Sequence, residues 1–371
     1  MLIALIVVVA LALVSGELGL SDEIIDTILN PSTLPTPLVV EGEWWQVYFT
    51  EPVNSTDPSL FVNGIDQYLM RAIDGATRTI DIAAYEFNLP SVTDAVVRAA
   101  RDRGVRVRVV TDNDHGLDAE TSTLGQLVSA GIPVVDDARS GFMHNKFVII
   151  DGRQVWTGSW NFTVNGTFRN NNNVIAITAP DVAAIYTRKF EQMFSARQFG
   201  PTAPALGDPN TRRVMINDTL IQVLFAPADG VGGRIAELVN SATHSVRFMA
   251  FSFTHNTIGE AVLNRARAGV DVAGIFETRG SLTEFSNLSA MFCEEVAVRQ
   301  DTNPRAFHHK VFIIDDETVI LGSFNFSLSA DRTNDENVLV IHDAEIAAAY
   351  LDEFNRRWAE SAVPEGLTCS L

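Results

Sequence analysis

The chain of 371 residues has little cysteine, few basic side chains and almost no long apolar run. Its two cysteines, Cys293 and Cys369, are too few for a disulfide-rich scaffold and are not spaced like the ligands of a zinc site. This spacing agrees with a chemistry that uses no metal and no other cofactor. Whether the two cysteines pair is left open by the sequence, because pairing depends on geometry in the fold.

Basic residues are outnumbered, since 27 Lys and Arg against 46 Asp and Glu give a formal net charge of −19. A protein that binds long nucleic acids usually presents a basic surface, because contacts to phosphates dominate the affinity. The charge therefore disfavours a long polyanion as substrate, although a local basic cleft is compatible with one. The alternative is that the acidity serves solubility and carries no information about the substrate.

The longest apolar run occupies residues 2–14 and ends at Ser15-Gly16. It is shorter than the roughly 20 residues that a membrane-spanning helix needs, so we predict that residues 1–16 form a cleavable signal peptide. An uncleaved N-terminal membrane anchor is the alternative, and both interpretations predict a secreted or extracytoplasmic protein. Residues 17–45 contain three prolines and are predicted to be a linker.

What the chain does contain is a repeated motif. A His and a Lys separated by one residue are followed by Asp, then Gly-Ser, then Asn, and each position recurs 164 residues later. The first copy consists of His144, Lys146, Asp151, Ser159 and Asn161, and the second of His308, Lys310, Asp315, Ser323 and Asn325. A constant offset over so many positions indicates a duplicated unit, so we predict two halves at residues 46–200 and 201–371.

Each copy of the motif predicts a β-hairpin. The Lys leads into four apolar residues (147–150 and 311–314), which are typical of a buried strand, and the strand ends at an Asp. Apolar residues then resume before Gly-Ser-x-Asn, which returns Ser and Asn to the end where His and Lys enter. Ammonium, amide and hydroxyl donors gathered at one place suit the non-bridging oxygens of a phosphate.

The remaining motif residues, Asp151 and Asp315, follow the buried strands. Asp is a common turn residue, so we predict that both support the turn or the neighbouring Lys and take no direct part in the chemistry. Beyond the motifs, strands alternate with amphipathic helices in both halves, for example at 182–194 and 346–358. This alternation predicts an α/β sandwich in each half.

The paired motifs resemble those of the phospholipase D superfamily, and the resemblance covers nearly the whole chain beyond residue ~40. It implies two tandem, pseudo-symmetric phospholipase D-like α/β/α sandwich halves that share one active site, so that a monomer is sufficient to form the site. It also implies that one His becomes a transient phosphohistidine, that the other acts as acid and then as base, and that no metal is required.

One position breaks the symmetry, because Asn172 stands in the first half where the second half has Glu336. Members of this superfamily commonly carry a glutamate here that helps to orient a catalytic His. A carboxylate stabilises an imidazolium, whereas an amide brings no charge. We hypothesise that His308, if paired with Glu336, starts protonated and acts as the acid, while His144 starts neutral and attacks. The alternative is that Asn172 is a neutral substitution with no bearing on the two roles.

Together these features predict a phosphodiesterase that hydrolyses the head-group phosphodiester of a phospholipid at a membrane surface. Transfer of the phosphatidyl group to an alcohol would use the same intermediate. A metal-independent endonuclease that acts on DNA or RNA is the alternative, because the superfamily includes both activities. A non-catalytic phosphate- or lipid-binding protein is disfavoured, because both His and both Lys are present.

Overall fold

The computed structural model describes residues 36–369, so the predicted signal peptide or anchor at 1–16 lies outside the described residues. The strands of the first half are β1 (Leu38–Glu41), β2 (Trp45–Phe49), β3 (Thr79–Ala84), β4 (Arg106–Thr111), β5 (Val134–Asp136), β6 (Lys146–Ile150), β7 (Gln154–Gly158), β8 (Asn170–Asn171) and β9 (Asn173–Thr178). Those of the second half are β10 (Arg213–Ile216), β11 (Thr219–Ala226), β12 (Ser245–Ala250), β13 (Asp271–Phe276), β14 (Ala297–Gln300), β15 (Ala306–Phe307), β16 (Lys310–Ile314), β17 (Thr318–Gly322) and β18 (Glu336–His342).

Each half builds one mixed eight-stranded sheet, and the two sheets have the same topology. The order is β1-β2-β9-β7-β6-β3-β4-β5 in the first half and β10-β11-β18-β17-β16-β12-β13-β14 in the second. The third sheet is small and parallel, and it joins β8 of one half to β15 of the other. The predicted duplication is therefore confirmed at the level of strand order.

The predicted linker at 17–45 was too long at its C-terminal end. Strand β1 lies inside that range and pairs antiparallel with β2, from Leu38 opposite Phe49 to Glu41 opposite Gln46. The three prolines upstream suggested an unstructured segment, but the run Leu38-Val39-Val40 supplies apolar side chains that pack against the core. The first sheet therefore starts before residue 46.

The predicted hairpins are present as β6–β7 and β16–β17. Their turns place two consecutive residues at positive φ, Asp151 and Gly152 in the first half and Asp315 and Asp316 in the second. This is the backbone of a type I′ turn, whose twist matches that of the flanking strands. Because each hairpin closes tightly, the start of its first strand and the end of its second lie at the same edge of the sheet.

The two turn aspartates lie at the opposite end of the hairpin from the His and Lys. The carboxylate of Asp151 accepts hydrogen bonds from the Thr77, Arg78 and Thr79 backbone, at 2.7 to 2.9 Å. Asp315 binds the backbone of residues 243–245 in the same way. Partial burial opposes ionisation, but these donors outweigh it and lower the pKa of both carboxyls to about 2. The alternative that they support the Lys was wrong, because each fixes the turn and the chain that enters the neighbouring strand.

Eleven α-helices occur in the described residues, five in the first half and six in the second. They are α1 (Asp66–Gly75), α2 (Pro90–Arg103), α3 (Leu124–Ser129), α4 (Val164–Phe168), α5 (Pro180–Phe194), α6 (Val231–Asn240), α7 (Asn256–Arg267), α8 (Thr278–Ser281), α9 (Leu288–Cys293), α10 (Leu328–Arg332) and α11 (Ala344–Glu360). The amphipathic helices predicted at 182–194 and 346–358 correspond to α5 and α11.

The helices cover both faces of each sheet. One core cluster contains residues of both sheets together with Tyr186 and Phe190 of α5 and Tyr350 and Phe354 of α11, so these two helices lie between the sheets. The outer face of the first sheet packs against α1 and α2, and that of the second against α6 and α7. The predicted fold of two α/β/α sandwich halves is confirmed.

Two further features concern the cysteines and the possibility of a membrane-spanning helix. Cys293 and Cys369 form a disulfide, which ties the C-terminal segment to α9 and resolves the question that the sequence left open. No helix within residues 36–369 is long and apolar enough to cross a membrane.

Candidate active site

The two His-x-Lys motifs meet where the halves pack together, because each motif is hydrogen-bonded to the other half. His144 donates its backbone N–H to the Asp335 carbonyl at 3.0 Å, and Asp335 donates to the Phe142 carbonyl at 2.8 Å. In the same way His308 donates to the Asn171 carbonyl at 2.9 Å, next to the β8–β15 pairing. The chain segment before each His is therefore held by the opposite half, and one chain brings both motifs to one site.

The histidine rings are also partnered across the halves. Nδ1 of His144 lies 2.7 Å from Oε2 of Glu336, whereas Nδ1 of His308 lies 2.9 Å from Oδ1 of Asn172 and 3.0 Å from the Ser159 carbonyl. The hypothesis that His308 pairs with Glu336 was therefore wrong. In both rings Nδ1 faces oxygen acceptors, so Nδ1 carries the proton and Nε2 is left to meet a substrate.

Glu336 gives the two rings different electrostatic surroundings. Burial lowers the pKa of His144 to about 4, with Glu336 acting against it. Burial together with Lys310 and Lys146 lowers the pKa of His308 well below its usual value, and the hydrogen bond to the Ser159 carbonyl acts against this. Burial by itself raises the pKa of Glu336, but His144 and Lys146 outweigh it and keep that pKa below the usual value. Glu336 is thus an anion aimed at His144, and His308 has only neutral acceptors at Nδ1.

Lys146 and Lys310 are completely buried and almost identically held. Each ammonium donates to the backbone carbonyl of its own His, at 2.7 and 2.8 Å, and lies over an aromatic ring, Tyr85 or Phe251, at 4.9 and 4.7 Å from the centroid. Burial lowers the pKa of Lys146 to about 8 and that of Lys310 well below its usual value. Two buried cations with one hydrogen bond each among the described residues favour an anionic ligand between them.

The hydroxyls of both serines are hydrogen-bonded within the protein, whereas the sequence predicted that they contribute to a phosphate-binding cluster. Ser159 and Ser323 are fully buried and donate to the residues behind the histidines, Asn172 Oδ1 at 2.9 Å and Glu336 Oε2 at 2.5 Å. Each hydroxyl also accepts a backbone N–H at 3.0 Å, from Asn173 in the first half and from Asn337 in the second. Ser159 and Ser323 are therefore positioning residues.

Gly158 and Gly322, which precede the two serines, are required because the neighbouring strand passes close to them. A Cβ at Gly158 would lie 2.2 Å from the Asn173 carbonyl oxygen, and one at Gly322 would lie 2.2 Å from that of Asn337. Both glycines also have positive φ, at 155° and 148°, which side chains disfavour. This close approach lets the following serine reach Asn172 or Glu336.

Asn161 and Asn325 each follow one of the buried serines by two residues and are only partly buried. Their Oδ1 atoms have no hydrogen-bond partner among residues 36–369, so both side chains can turn to a ligand. The Asn161 amide donates to Oε2 of Glu86 at 2.6 Å, which gives Glu86 a place at the site that the sequence did not assign. The repeat contains a signal for this role, because the position of Glu86 in the first half is occupied by Ser252 in the second. A serine cannot make the charged contact that Glu86 makes with the Asn161 amide.

A second residue that sequence reasoning missed is Asp335. Its buried carboxylate accepts from Nη2 of Arg139 at 2.7 Å, Nζ of Lys189 at 2.9 Å and the Gly200 backbone at 2.8 Å. Since its carbonyl binds the His144 backbone, this charged cluster positions both His144 and the adjacent Glu336. The equivalent of Asp335 is Asn171, which accepts a neutral hydrogen bond from Asn303 at 2.6 Å.

Two cavities flank the histidines, one in each half. The first, of about 390 Å³, is lined by polar residues that include Glu86, Asp114 and His115. The second, of about 450 Å³, is lined by Phe251, Phe276, Arg279 and Arg305 among others. Phe251 makes an edge contact with His308 at 4.6 Å between ring centroids, so one aromatic side chain lies between the second cavity and that ring. No group of three His, Cys, Asp or Glu side chains in residues 36–369 is arranged to hold a metal ion.

Comparison with known proteins agrees with the duplicated site. The family described as cardiolipin synthase, PLD-like domain matches twice, at residues 69–194 and 235–358. A mitochondrial cardiolipin hydrolase of Xenopus tropicalis is 34% identical over 159 residues, which are 40% of this chain and 75% of that protein. A phospholipase D of Rickettsia typhi (strain ATCC VR-144 / Wilmington) is 30% identical over 203 residues, which are 52% of this chain and 97% of that protein.

Among solved structures, the fold is similar to that of phosphatidylserine synthase from Haemophilus influenzae Rd KW20. The match has a TM-score of 0.66 at 17% sequence identity and covers 91% of each chain, so it supports the fold. The two family matches together cover more than half of the sequence, and each contains one His-x-Lys motif. The chain therefore belongs to the phospholipase D superfamily and is a phosphodiester hydrolase of the phospholipase D type.

Proposed function

We propose that this enzyme hydrolyses the head-group phosphodiester of a phospholipid through a covalent intermediate on His144. The observation that carries the proposal is the 2.7 Å contact between Nδ1 of His144 and the Glu336 carboxylate. An imidazole that attacks phosphorus through Nε2 becomes a cation that still holds its proton at Nδ1. A buried carboxylate at that proton stabilises the cation as it forms.

The first step forms the bond between Nε2 of His144 and phosphorus and breaks the bond from phosphorus to the head-group oxygen. His308 donates a proton from Nε2 to that oxygen, which leaves as an alcohol. The negative substrate favours protonation of His308, and the lack of a carboxylate partner keeps the resulting imidazolium strongly acidic. Lys146 and Lys310 bind the non-bridging oxygens, and the amides of Asn161 and Asn325 complete their shell.

The second step returns the enzyme to its starting state. His308, now neutral, removes a proton from water, and the water oxygen attacks phosphorus as the bond to His144 breaks. The products are phosphatidic acid and the free imidazole of His144, while His308 regains its proton. An alcohol in place of water would give transfer of the phosphatidyl group by the same route.

The proposed roles of His144 as nucleophile and His308 as acid are those of the sequence-based hypothesis, but the physical reason for them is the opposite. That hypothesis gave the carboxylate to the acid, whereas the observed contacts give it to His144. Under the proposed mechanism Glu336 favours the attacking His because that ring gains lasting positive charge in the intermediate. The neutral acceptors at His308 suit a ring that must gain and release a proton in each cycle.

A lipid substrate is supported by the relatives named phospholipase D and cardiolipin hydrolase, by the net charge of −19 and by the aromatic-lined cavity beside His308. We also propose an extracytoplasmic location. It is supported by the apolar segment at residues 2–14 and by the Cys293–Cys369 disulfide, since such bonds persist mainly in oxidising compartments.

The substrate is tested by incubating the purified protein with vesicles of phosphatidylcholine, phosphatidylethanolamine or cardiolipin and, separately, with single-stranded DNA and RNA. Released head group and phosphatidic acid are measured by mass spectrometry, with and without chelator. We expect lipid turnover that is insensitive to chelator. Cleavage of nucleic acid without lipid turnover would instead establish the endonuclease.

The intermediate is tested with the His308→Ala variant and a p-nitrophenyl phosphodiester, whose leaving group needs no proton. We expect one equivalent of p-nitrophenol and a stable adduct on His144, because no base remains to activate water. The matched His144→Ala variant should release none. An adduct located on His308 in the wild-type enzyme would refute the assignment.

A further inference from the structure

The segment 282–287, between α8 and α9, exposes two large apolar side chains. Phe285 is 71% exposed, more than any other large apolar residue described, and Leu282 is 55% exposed. Single exposed apolar residues are common on protein surfaces. Two of them on one short loop beside a cavity at the active site are a more specific feature.

This loop forms part of the rim of the second cavity. Arg279, Gly280 and Ser281 on one side of the apolar pair and Ser286 on the other all line the cavity. The cavity is also lined by Phe251, whose ring contacts His308 and lies beneath the Lys310 ammonium. The apolar pair therefore stands beside a cavity that Phe251 connects to His308 and Lys310 of the second half.

The first half shows that the fold does not require this exposure. Its cavity is bordered by the corresponding loop at 113–123, where Asp114, Asp118, Glu120 and Thr121 are the exposed side chains. No large apolar residue of that loop is exposed. The apolar pair is thus a property of one half, placed on otherwise equivalent scaffolding.

We propose that the 282–287 loop docks the enzyme on a phospholipid surface by inserting Leu282 and Phe285 among the lipids, next to the cavity that receives the head group. This rests on the proposed lipid substrate. Arg279 and Arg305 line the same cavity and are exposed, so they supply cations for lipid phosphates in a chain whose net charge is −19. Glu284 lies between the two apolar residues, which favours a zwitterionic surface over a strongly anionic one.

Docking is tested by sedimentation with phosphatidylcholine vesicles. The variant carries Leu282→Ser and Phe285→Ser, and the control carries Met215→Ser. Met215 is 61% exposed on β10, at the edge of the second sheet far in strand order from β13 and β14. All are prepared with His144→Ala, so that the vesicles are not consumed. We expect the double variant to lose about tenfold or more in vesicle partition, because burial of Leu and Phe drives insertion, and the control to bind like the parent.

Activity gives a second readout with His144 intact. Turnover of vesicle lipid relative to turnover of soluble bis(p-nitrophenyl) phosphate should fall about tenfold in the double variant and stay constant in Met215→Ser. Equal vesicle partition of the double variant and the control would overturn the proposal. So would a parent dimer in light scattering that the double variant lacks, because the loop would then be a contact between copies.

The outcome is separable from that of the proposed function. Vesicle partition is measured without turnover, so a loss specific to the double variant supports docking whatever phosphodiester the enzyme cleaves. Lipid turnover combined with unchanged partition would support the proposed function and reject the docking loop.

Discussion

The two halves hold their His and Lys in nearly the same way but surround them differently. The ammonium-to-carbonyl distances differ by only 0.1 Å, at 2.7 and 2.8 Å, and both lysines lie over an aromatic ring. Behind the imidazoles, however, one half supplies Glu336 and the other Asn172. The conserved geometry suits binding of a symmetric group, the phosphate, and the difference suits two unequal steps of proton and phosphoryl transfer.

The clusters behind the site follow the same division. Asp335, beside Glu336, is held by the charged side chains of Arg139 and Lys189, whereas Asn171, beside Asn172, receives a neutral hydrogen bond. The entrances differ as well, with polar residues exposed in the first half and an apolar pair in the second. Duplication thus preserved the framework, while single substitutions made the two halves unequal.

Among the differences between the halves, removal of the Glu336 carboxylate should have the largest effect on catalysis. We expect Glu336→Gln to lower kcat by roughly 10²- to 10⁴-fold, because the cation that forms on His144 loses its counter-charge. Steady-state kinetics on lipid vesicles measure the loss, and circular dichroism checks that the fold is retained. A kcat within threefold of wild type would show that Glu336 does not stabilise the intermediate.

The disulfide is present only in the second half, and its loss should destabilise the protein. Cys293 and Cys369 are 76 residues apart, so the cross-link restricts the unfolded chain. We expect Cys293→Ser with Cys369→Ser to lower the free energy of unfolding by about 2 to 4 kcal/mol. Urea denaturation measures this, and an unchanged midpoint would mean that the bond only tethers the C-terminal segment.

A more symmetric site can be made with Asn172→Asp, which places a carboxylate behind His308 as well. The carboxylate should raise the pKa of His308, so the imidazolium persists to higher pH. The basic limb of the kcat profile should therefore move up by about one pH unit. We also expect an approximately tenfold lower kcat, because the Gly166 carbonyl, 2.9 Å from the Asn172 amide, loses its donor. A basic limb at its wild-type pH would argue against His308 as the acid.

The smallest effects should occur where the halves are alike. Asp151→Asn and Asp315→Asn each remove a charged acceptor of backbone N–H groups, and we expect each to lower the free energy of unfolding by about 1 to 2 kcal/mol at pH 7. Both carboxyl pKa values are depressed to about 2, so this stability is present above pH ~4 and lost as the pH falls towards 2. Denaturation at pH 7 and pH 2.5 measures it. Clearly unequal losses would show that the two turns are not equivalent.

Much of the local structure could be predicted from short patterns. The apolar runs after each Lys become β6 and β16, and the Asp-Gly and Asp-Asp pairs form their turns. Strand and helix periodicities are local properties, which is why the sequence reveals them. The start of the first sheet was missed, because prolines before Leu38 resemble a linker while β1 gains its stability from pairing with β2.

The contacts of the site were harder to predict. Glu336 lies 192 positions from His144 and much nearer in sequence to His308, and no local pattern indicates that the carboxylate contacts the His of the other half. The serines were expected to bind phosphate, but burial turns their hydroxyls to Asn172 and Glu336. No local pattern distinguishes a hydroxyl that faces a ligand from one that holds a neighbouring side chain.

The paired His-x-Lys motifs, which recur at a constant offset, indicate two copies of one fold with a β-hairpin in each copy. The sequence alone determined these features, because they depend on residue type and spacing. Only the tertiary structure decided that Glu336 serves His144 and Asn172 serves His308. The reason is that the segment before each His is hydrogen-bonded to the opposite half, which exchanges the partners between two otherwise matching units.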